Sequence, residues 1–570
     1  MRLRRLEIEN FRGVRSLDWR HVVDTAGLVG PGDSGKSTIL DAVERVLSPR
    51  WNLPFDDTDF WNLETAAPIV VRATLTSLAP SFFRDTKFGL LLHAFDASES
   101  VAKRATGDET EEYALVVELR VDASLEPVWS VVDADGARHP FLARDREALG
   151  MLRVGGYVDQ HLGWSRGSIL TRLTESGDAV GAVLAEATRQ ARAGLKTDGL
   201  DKLASAAQKV EELGKNLGVV VRNKLVPHLD ASSLSVAAGA LSLHDGKVPT
   251  RRAGLGSRRL LTVAMQRAAA SESGLTLVDE FEQGLEPHRI RRLLRVLRGR
   301  APEPGRLAMG QLILTTHSPT VISELDAPEV FVTRRSDEGS VTVHTVPNAI
   351  AYVLARAPEA LLARKVVVAE GATEEGLCAA LDEAWTAEVK ASFGYRGVVV
   401  IDGAGGTQPA AIAGHLVSLG YEAALIIDSD APAKVAAAAG ASVMAWPGGV
   451  STEQRIASDL PVEGLQEMTV AACAGAKKGS RSVRDALADS LRVARATLEE
   501  EAPESWPGAV DTSTFRAALG EVAKRGEHAW FKSRDQGAAL GRLVVKHWSA
   551  LKETPTRAVI AKLRTFVHGE

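Results

Sequence analysis

The stretch Ala423-Ala424-Leu425-Ile426-Ile427-Asp428-Ser429-Asp430 organises the C-terminal part of the chain. Its apolar run ends in two acids, which predicts a buried parallel strand whose C-terminal end opens into a site. Because side chains alternate along an extended chain, we expect Asp428 and Asp430 on the same side. Two close carboxylates need a cation, or one of them must lose its charge. The pattern predicts a divalent metal site, although an isolated pair can also serve a turn.

The composition is that of an ordinary globular protein with more than one domain. With 570 residues, 45% of them hydrophobic and 25% charged, the chain should hold about three or four domains. The two cysteines, Cys378 and Cys473, exclude a disulfide framework and fit a reducing cytosol. The charged N-terminus is no secretory signal and no apolar run could span a membrane, so we expect a cytoplasmic location. The net charge of −5 leaves room for a local basic groove.

A phosphate-binding loop lies near the N-terminus. Residues 30–38 read Gly-Pro-Gly-Asp-Ser-Gly-Lys-Ser-Thr and match G-x-x-x-x-G-K-[ST], between an apolar strand and a helix. The backbone N–H groups would wrap phosphate oxygens, Lys36 would hold the β- and γ-phosphates, and Ser37 would ligate Mg²⁺. The residues expected to bind ATP here are Gly30, Gly32, Asp33, Ser34, Gly35, Lys36, Ser37 and Thr38.

Two apolar stretches further along the chain end in residues suited to ATP hydrolysis. Residues 275–280 predict a buried strand that ends in Asp279 and Glu280, the Walker B pattern. Asp279 would hold Mg²⁺ through water, and Glu280 would polarise the attacking water. Residues 312–319 predict another core strand, and His317 after it is placed to sense the γ-phosphate.

A glycine- and serine-containing segment precedes the Walker B strand. Residues 251–259 read Arg-Arg-Ala-Gly-Leu-Gly-Ser-Arg-Arg and open an apolar helix pattern. The segment resembles the signature motif of ABC-type ATPases, although the usual LSGGQ is absent. The resemblance implies that Gly254, Gly256 and Ser257 of one subunit bind the γ-phosphate held by another. The chain would then work at least as a homodimer; a plain glycine-rich loop is the alternative.

Residues 1 to about 345 resemble the ABC-type heads of the SMC and RecF-like group. The run 279–287, Asp-Glu-Phe-Glu-Gln-Gly-Leu-Glu-Pro, resembles the D-E-P-E-x-x-L-H-P of OLD (overcoming lysogenisation defect) nucleases. It departs from that pattern at Phe281 and Glu286, and Gly32 stands where family members often carry Asn. Residues 165–228 predict a compact helical insertion, and the resemblance implies that it helps dimerisation.

The pattern returns to alternating strands and helices near residue 361. Apolar strands precede Glu370, Asp428 and the segment Ser451-Thr452-Glu453, and a helix pattern beginning near Glu374 follows the first. Such alternation predicts a small parallel sheet with ligands at the carboxyl ends of its strands. Asp402, also after a strand, is expected to belong to its turn. The expected ligands, enough for two Mg²⁺ or Mn²⁺ ions, are Glu370, Glu374, Asp428, Asp430 and Glu453.

The order E-G-x-T-E, glycine-rich turn, D-x-D resembles a TOPRIM domain. Ser451-x-Glu453 resembles the S-x-E element of OLD nucleases, and Lys532 matches the place of their catalytic lysine. Lys532 would stabilise the charge of the transition state, and Ser451 would orient a phosphate or a metal-bound water. Helices are expected from 480 to 570, beside a modest basic cluster that could face DNA: Lys477, Lys478, Arg481 and Arg484.

The expected architecture is α/β: a P-loop ATPase head with a helical insertion, then a TOPRIM domain with a parallel sheet and a helical C-terminal region. The expected parts are 1–164, 165–228, 229–350 and 361–570. The resemblance implies an ATP-gated, two-metal endonuclease acting on DNA in phage defence, with or without a separate helicase, as in Gabija-type systems. Whether ATP drives or restrains cleavage stays open.

Two other functions fit parts of the pattern. One is a DNA-repair clamp or loader in which the ATPase acts and the metal domain is a scaffold. The other is a strand-passing or primer-making enzyme built on the same metal fold. A topoisomerase would need a tyrosine nucleophile, and none of the five tyrosines lies in an obvious helix-turn-helix context.

Overall fold

The computed structural model describes residues 1–84, 86–98, 101–104, 112–154, 162–164, 168–170, 186, 190, 201–216, 222, 224–225, 242–269, 274–300, 310–389, 391–428, 438–476, 479–499, 502–524 and 530–569. Asp430, Lys477 and Lys478 lie outside the described residues, as does most of the predicted insertion 165–228. Within that insertion, one described helix spans Asp201–Asn216.

One sheet of the N-terminal part is antiparallel. Its strands are β1 (Arg2–Phe11), β2 (Val14–Arg20), β4 (Ile69–Thr76), β5 (His93–Asp96), β6 (Val101–Arg104), β7 (Glu112–Val121), β8 (Pro127–Val132) and β9 (Arg138–Pro140). The order is β2–β1–β4–β7–β5–β6, with β8 pairing β7 and β9 pairing β8. Apolar and polar residues alternate over 3–11, which predicts a strand, and β1 confirms it.

The second sheet carries the predicted ATP motifs. Its strands are β3 (Thr25–Val29), β10 (Leu152–Val154), β13 (Leu275–Val278), β14 (Gln311–Thr315), β15 (Val330–Arg335) and β16 (Val341–Thr345), in the order β10–β13–β14–β3–β15–β16. The pairs from β10 to β15 are parallel, and β15 and β16 form an antiparallel hairpin. The predicted core strands before the phosphate loop, Asp279 and His317 are confirmed. A short hairpin, β11 (His244–Asp245) and β12 (Val248–Pro249), lies apart.

Helices connect these strands and cover them. They are α1 (Lys36–Leu47), α2 (Ala143–Glu147), α3 (Asp201–Asn216), α4 (Leu255–Ala269), α5 (Pro287–Leu297), α6 (Pro319–Glu324) and α7 (Ala351–Arg356). The apolar face of α1 enters the core that also holds the buried side of β1. Burying this face stabilises the helix directly behind the phosphate loop.

A parallel sheet forms the centre of the C-terminal part. Its strands are β17 (Lys365–Ala369), β18 (Val398–Asp402), β19 (Glu422–Ile427) and β20 (Ser442–Ala445), in the order β18–β17–β19–β20. Each neighbouring pair is parallel, which confirms the predicted sheet. The helices α8 (Ala372–Val389), α9 (Gln408–Ser418) and α10 (Thr452–Asp459) follow β17, β18 and β20. Parallel pairing brings the segments after β17 and β19 to one edge of the sheet.

The C-terminal region is helical, as expected. It contains α11 (Val462–Gly475), α12 (Gly479–Leu491), α13 (Trp506–Ala509), α14 (Thr512–Lys524), α15 (Arg534–Lys546) and α16 (Pro555–His568). Helix α15 crosses α8 closely through three glycines. At Gly376, an added Cβ atom would lie 2.0 Å from the carbonyl oxygen of Arg534. At Gly537 it would lie 2.2 Å from the carbonyl oxygen of Thr373, and at Gly541 it would lie 2.6 Å from the Cβ atom of Ala380. Only glycine permits this backbone approach.

One buried apolar cluster continues from the second sheet into the C-terminal parallel sheet. It includes Val29 and Leu314 of the head, Leu354 of the linking helix, and Val366 and Leu425 of the C-terminal strands. The two parts therefore share a packed core. Among the described residues, no helix has the length and apolar character needed to cross a membrane.

Candidate functional site

The phosphate loop has the backbone shape that its glycines predict. Gly30, Asp33 and Gly35 have φ values of 138°, 59° and 92°, in the left-handed region that favours glycine. At Gly30 a Cβ atom would lie 2.6 Å from the carbonyl oxygen of Thr333 on β15. The Ser34 hydroxyl lies 2.8 Å from the Thr333 hydroxyl. The hairpin β15–β16 therefore supports the loop from behind.

Lys36 is turned back onto its own loop. Its Nζ donates to the carbonyl oxygens of Gly30 at 3.1 Å and Pro31 at 2.8 Å. Burial lowers the pKa of Lys36 to about 8, against the opposing pull of nearby acids. Nζ also donates to the Ser34 hydroxyl at 3.3 Å. An ammonium bound only to neutral oxygens is ready to exchange them for phosphate oxygens, which carry full charge. Gly32 and Asp33 are exposed, and Thr38 is half-buried in the first turn of α1.

The predicted magnesium ligands come together although they are far apart in sequence. The Ser37 hydroxyl donates to Asp279 Oδ1 at 3.1 Å, and the Thr315 hydroxyl donates to the same oxygen at 2.6 Å. Arg153, which the sequence analysis did not single out, donates to Asp279 Oδ2 at 3.1 Å and to Glu44 at 2.9 Å. Arg153 lies on β10, where only its position beside the Walker B strand could have drawn attention to it.

The residues after the Walker B strand are tied to the His317 segment. Glu280 is exposed, has a φ of 45°, and its N–H donates to the Thr315 hydroxyl at 2.8 Å. The Glu282 carboxylate accepts from the Thr316 hydroxyl at 2.6 Å and from the His317 N–H at 2.7 Å. Burial, with the nearby Lys36 charge, lowers the pKa of His317, which favours the neutral ring. Glu282 therefore positions the histidine, a role that the sequence did not reveal.

The signature-like segment packs on the Walker B loop of the same chain. Gly256 is buried, and a Cβ atom there would lie 2.2 Å from the Gly284 carbonyl oxygen. Buried Arg259, three residues later, donates to the Gln283 side chain at 3.1 Å and to the Asp279 carbonyl. Gly256 thus has a packing role within this chain. Gly254 and Ser257 are exposed at the start of α4.

An open pocket lies beside the phosphate loop. It measures about 310 Å³ and is lined by 31–34 of the loop and 334–337 of the β15–β16 turn. Arg334, at the end of β15, also stacks its guanidinium 3.6 Å from the centre of the Tyr421 ring in the C-terminal part. One residue therefore borders the phosphate loop and contacts the segment leading into β19.

In the C-terminal part, four of the predicted acids meet at one edge of the parallel sheet. Glu370 follows β17, and its Oε2 accepts the N–H of Asp428, which follows β19, at 2.7 Å. Glu374 lies in the first turn of α8 and accepts the Gly371 N–H at 3.0 Å. Glu453 lies in the first turn of α10. The strand ends and helix starts therefore converge as the parallel sheet predicted.

Thr452 joins two of these acids, and Lys532 neutralises a third. The Thr452 hydroxyl lies 2.6 Å from Glu374 Oε1 and 3.2 Å from Asp428 Oδ1, and its N–H donates to Asp428 Oδ1 at 2.9 Å. Lys532 Nζ donates to Glu453 Oε1 at 2.6 Å. The other oxygen of Glu453 is buried without a hydrogen-bond partner. Thr452 was not predicted from the sequence, although it lies between two predicted site residues.

Two neighbouring polar residues have structural positions. The Ser451 hydroxyl accepts the Gln454 N–H at 3.4 Å and caps α10, and its side chain is buried, so it presents no open face to a phosphate or water. The orienting role expected of Ser451 stays a prediction. Asp402 accepts the Ala404 N–H at 2.8 Å, which confirms its expected role in its own turn.

The charges of the cluster oppose one another. Burial, with Asp428 nearby, raises the pKa of Glu374 to about 8. Burial, with Glu370 nearby, raises the pKa of Asp428 to about 7. Burial acts to lower the pKa of Lys532, but the Glu453 carboxylate outweighs it and the pKa lies above its usual value. One ammonium thus faces four acids, a charge imbalance that a bound cation would relieve.

The fit to a divalent cation is chemical more than geometric. No group of three or more His, Cys, Asp or Glu side chains in the described part of the chain is arranged to hold a metal ion. Thr452, the Gly371 N–H and Lys532 instead donate hydrogen bonds to carboxylate oxygens of this cluster. The donors are all hard carboxylate oxygens, which suit Mg²⁺ or Mn²⁺. The unpartnered buried oxygen of Glu453 also fits a cation.

Comparison with known proteins concerns the ATPase part. Residues 104–323 match the family described as "AAA domain, putative AbiEii toxin, Type IV TA system". No curated protein matches the chain. The matched region contains Asp279, Glu280 and His317 and begins after the phosphate loop.

SMC and RecF heads are among the solved structures that resemble the chain. The SMC head domain from Thermotoga maritima is 15% identical, with 61% of this chain and 100% of that chain covered and a TM-score of 0.28. An SMC head bound to the C-terminal winged-helix domain of ScpA is 13% identical, with 62% and 99% covered and a TM-score of 0.36. RecF with a bound ATP analogue is 15% identical, with 60% and 98% covered and a TM-score of 0.31. TM-scores below 0.5 do not by themselves establish a shared fold. The family match and the meeting of Lys36, Ser37 and Asp279 identify an ATPase-type domain.

Proposed function

We propose that the protein is an ATP-binding, metal-dependent DNA endonuclease in which the ATPase head gates a TOPRIM nuclease domain of the OLD type. The observation that carries the proposal is the convergence of Glu370, Glu374, Asp428 and Glu453 at one edge of a parallel sheet, with Lys532 beside them. An acid cluster of this size has no structural reason in a scaffold, because its mutual repulsion destabilises the fold. The cost is explained if the cluster binds divalent cations.

The nuclease roles follow from the positions of the side chains. Two divalent ions supply an activated water and stabilise the leaving oxygen of a phosphodiester when bound. Glu370, Glu374, Asp428 and Glu453 would hold them, and Asp430 is proposed as a fifth ligand. The Lys532 side chain, 36% exposed, can leave Glu453 for a phosphate oxygen.

The ATPase roles are proposed for the residues that surround the phosphate loop. Lys36 would bind the β- and γ-phosphates, and Ser37 with Asp279 would hold Mg²⁺. Glu280 would polarise the attacking water, and His317 would sense the γ-phosphate. Gly254 and Ser257, exposed at the start of α4, would contact nucleotide held by a second copy, so we propose a homodimer. A role in phage defence, with or without a helicase partner, rests on the OLD resemblance alone.

The test is cleavage of supercoiled plasmid with Mg²⁺ or Mn²⁺, with and without ATP. Wild type is compared with Asp428→Ala and with Asp489→Ala, a matched control at an exposed acid of the C-terminal helices. We expect nicking or linearisation by wild type and the control, and none by Asp428→Ala. The lanes with ATP give the sign of the gating. Equal cutting by Asp428→Ala would place the activity elsewhere.

Two observations favour a second function. The described acids do not form a ready metal site, and the family match covers the ATPase part alone. An ATP-driven clamp or loader on DNA, with the acid cluster as a non-catalytic scaffold, fits these facts. This function predicts ATP hydrolysis stimulated by DNA, unchanged by Asp428→Ala, and no cleavage with either metal.

A further inference from the structure

Thr452 has no role in the proposed reaction so far, yet it contacts two of the acids. Its side chain is fully buried, and its hydroxyl lies 2.6 Å from Glu374 Oε1 and 3.2 Å from Asp428 Oδ1. Its N–H donates to Asp428 Oδ1 at 2.9 Å. Glu374 belongs to the start of α8 and Asp428 to the end of β19. Thr452, at the start of α10, therefore ties three elements together at one point.

The hydrogen-bond roles at this hydroxyl can be assigned. A hydroxyl has one proton to donate and two lone pairs to accept with. Trp446 Nε1, which can only donate, lies 2.6 Å from the Thr452 oxygen, so the oxygen accepts there. The single proton remains for a carboxylate, and Glu374 is the nearer of the two. The side chain thus holds Glu374 while the backbone N–H holds Asp428.

We propose that Thr452 is a positioning residue that fixes Glu374 and Asp428 relative to each other and so sets the spacing of the divalent-cation site. The inference rests on the proposed nuclease function. A neutral hydroxyl can hold a carboxylate without adding charge to a cluster that is already strongly negative. Groups that orient metal ligands in this way typically affect metal affinity about 10–100-fold when removed.

The test uses three variants of the full chain. Thr452→Val keeps the shape and removes the hydroxyl, and Thr452→Ser keeps the hydroxyl. Thr469→Val is the matched control, because Thr469 is equally buried and its hydroxyl donates only to the Leu465 carbonyl at 2.8 Å. Mn²⁺ binding is measured by calorimetry. We expect the dissociation constant to rise about tenfold or more in Thr452→Val, and to stay near the wild-type value in Thr452→Ser and the control.

The proposal would be overturned if Thr452→Val bound Mn²⁺ as tightly as wild type, or if Thr452→Ser weakened Mn²⁺ binding as much as Thr452→Val. Thr452→Ala replaces the valine variant if that variant does not fold. If wild type binds no Mn²⁺ and cuts no DNA, the nuclease function fails, and the positioning role is decided separately in EDTA. There, Thr452→Val and Glu374→Gln should lower the melting temperature together by less than the sum of their single effects. Additive effects would show that Thr452 does not hold Glu374.

Discussion

Replacing Lys532 with methionine tests the acid cluster most directly. Lys532 Nζ lies 2.6 Å from Glu453 Oε1, and the Glu453 side chain is only 1% exposed. At an effective dielectric constant of about 20, the attraction at this distance is about 6 kcal/mol before the cost of desolvation. The lysine side chain is 36% exposed, so solvent screens part of this energy. We expect Lys532→Met to lower the free energy of unfolding by about 3 kcal/mol, because it leaves a buried carboxylate without its cation.

A matched surface pair provides the control. Lys546 Nζ lies 2.8 Å from Glu467, but the two side chains are 63% and 34% exposed. Lys546→Met should therefore cost less than about 1 kcal/mol. Urea unfolding at pH 7.5 in EDTA compares the variants. The double variant with Glu453→Gln should recover part of the loss, because it removes the stranded charge.

Divalent cations extend the experiment to function. If the free oxygen of Glu453 faces a cation site, millimolar Mn²⁺ should stabilise Lys532→Met more than it stabilises Lys546→Met. The cation would then supply the positive charge that the ammonium had supplied. A Lys532→Met variant as stable in EDTA as Lys546→Met would refute the reasoning, since it would show that Glu453 is not held by the lysine.

Three further predictions concern packing and protonation. Gly541→Ala should lower the free energy of unfolding in urea by about 1–3 kcal/mol, because the new Cβ atom would lie 2.6 Å from the Cβ atom of Ala380. The control Gly508→Ala has open space around it and should leave the free energy of unfolding unchanged or raise it. Burial lowers the pKa of His21 to about 3, so the unfolded chain takes up the proton first as pH falls below about 6.5. Wild type should lose about 2 kcal/mol between pH 7.5 and 5 that His21→Phe does not lose; equal slopes would contradict this. Because the pKa of Lys36 is about 8, the affinity for a fluorescent ATP analogue should fall about tenfold from pH 7 to 9, and a flat profile would show that its charge is not used.

The core strands that precede the motifs were predictable because each is a short apolar run that ends at a recognisable motif. Residues 275–278 and 422–427 could hardly be anything but buried parallel strands, and the acids after them had to lie at the carboxyl edge. The pairing of Ser37 with Asp279 followed from the known logic of the phosphate loop. In these elements the local sequence pattern agrees with the position of the strand in the sheet, and for this reason they could be predicted.

The residues that escaped prediction act through contacts between distant segments. Arg153 is an ordinary charged residue in a short strand until β10 is placed beside β13, where it meets Asp279. The role of Glu282 becomes visible only in the folded chain, where its carboxylate accepts the N–H of His317. Thr452 was not predicted because only the start of the helix shows that the Ser451 hydroxyl caps it while the Thr452 hydroxyl contacts Glu374. The sequence motif indicates which segment lies at the site, but the residue at which the helix begins decides which side chain of that segment contacts the acids.

The two sites are joined by a continuous physical contact. Thr333 and Arg334 are adjacent residues near the end of β15. Thr333 supports the phosphate loop, and the guanidinium of Arg334 stacks on Tyr421. Tyr421 is itself fixed, because its hydroxyl donates to the Leu361 carbonyl at 2.7 Å, and it leads directly into β19, which Asp428 follows. A shift of the β15–β16 hairpin on nucleotide binding would therefore press on the strand that carries a proposed metal ligand. If the head gates the acid cluster, as proposed, Arg334 and Tyr421 lie on a direct contact route between the phosphate loop and the strand that precedes Asp428.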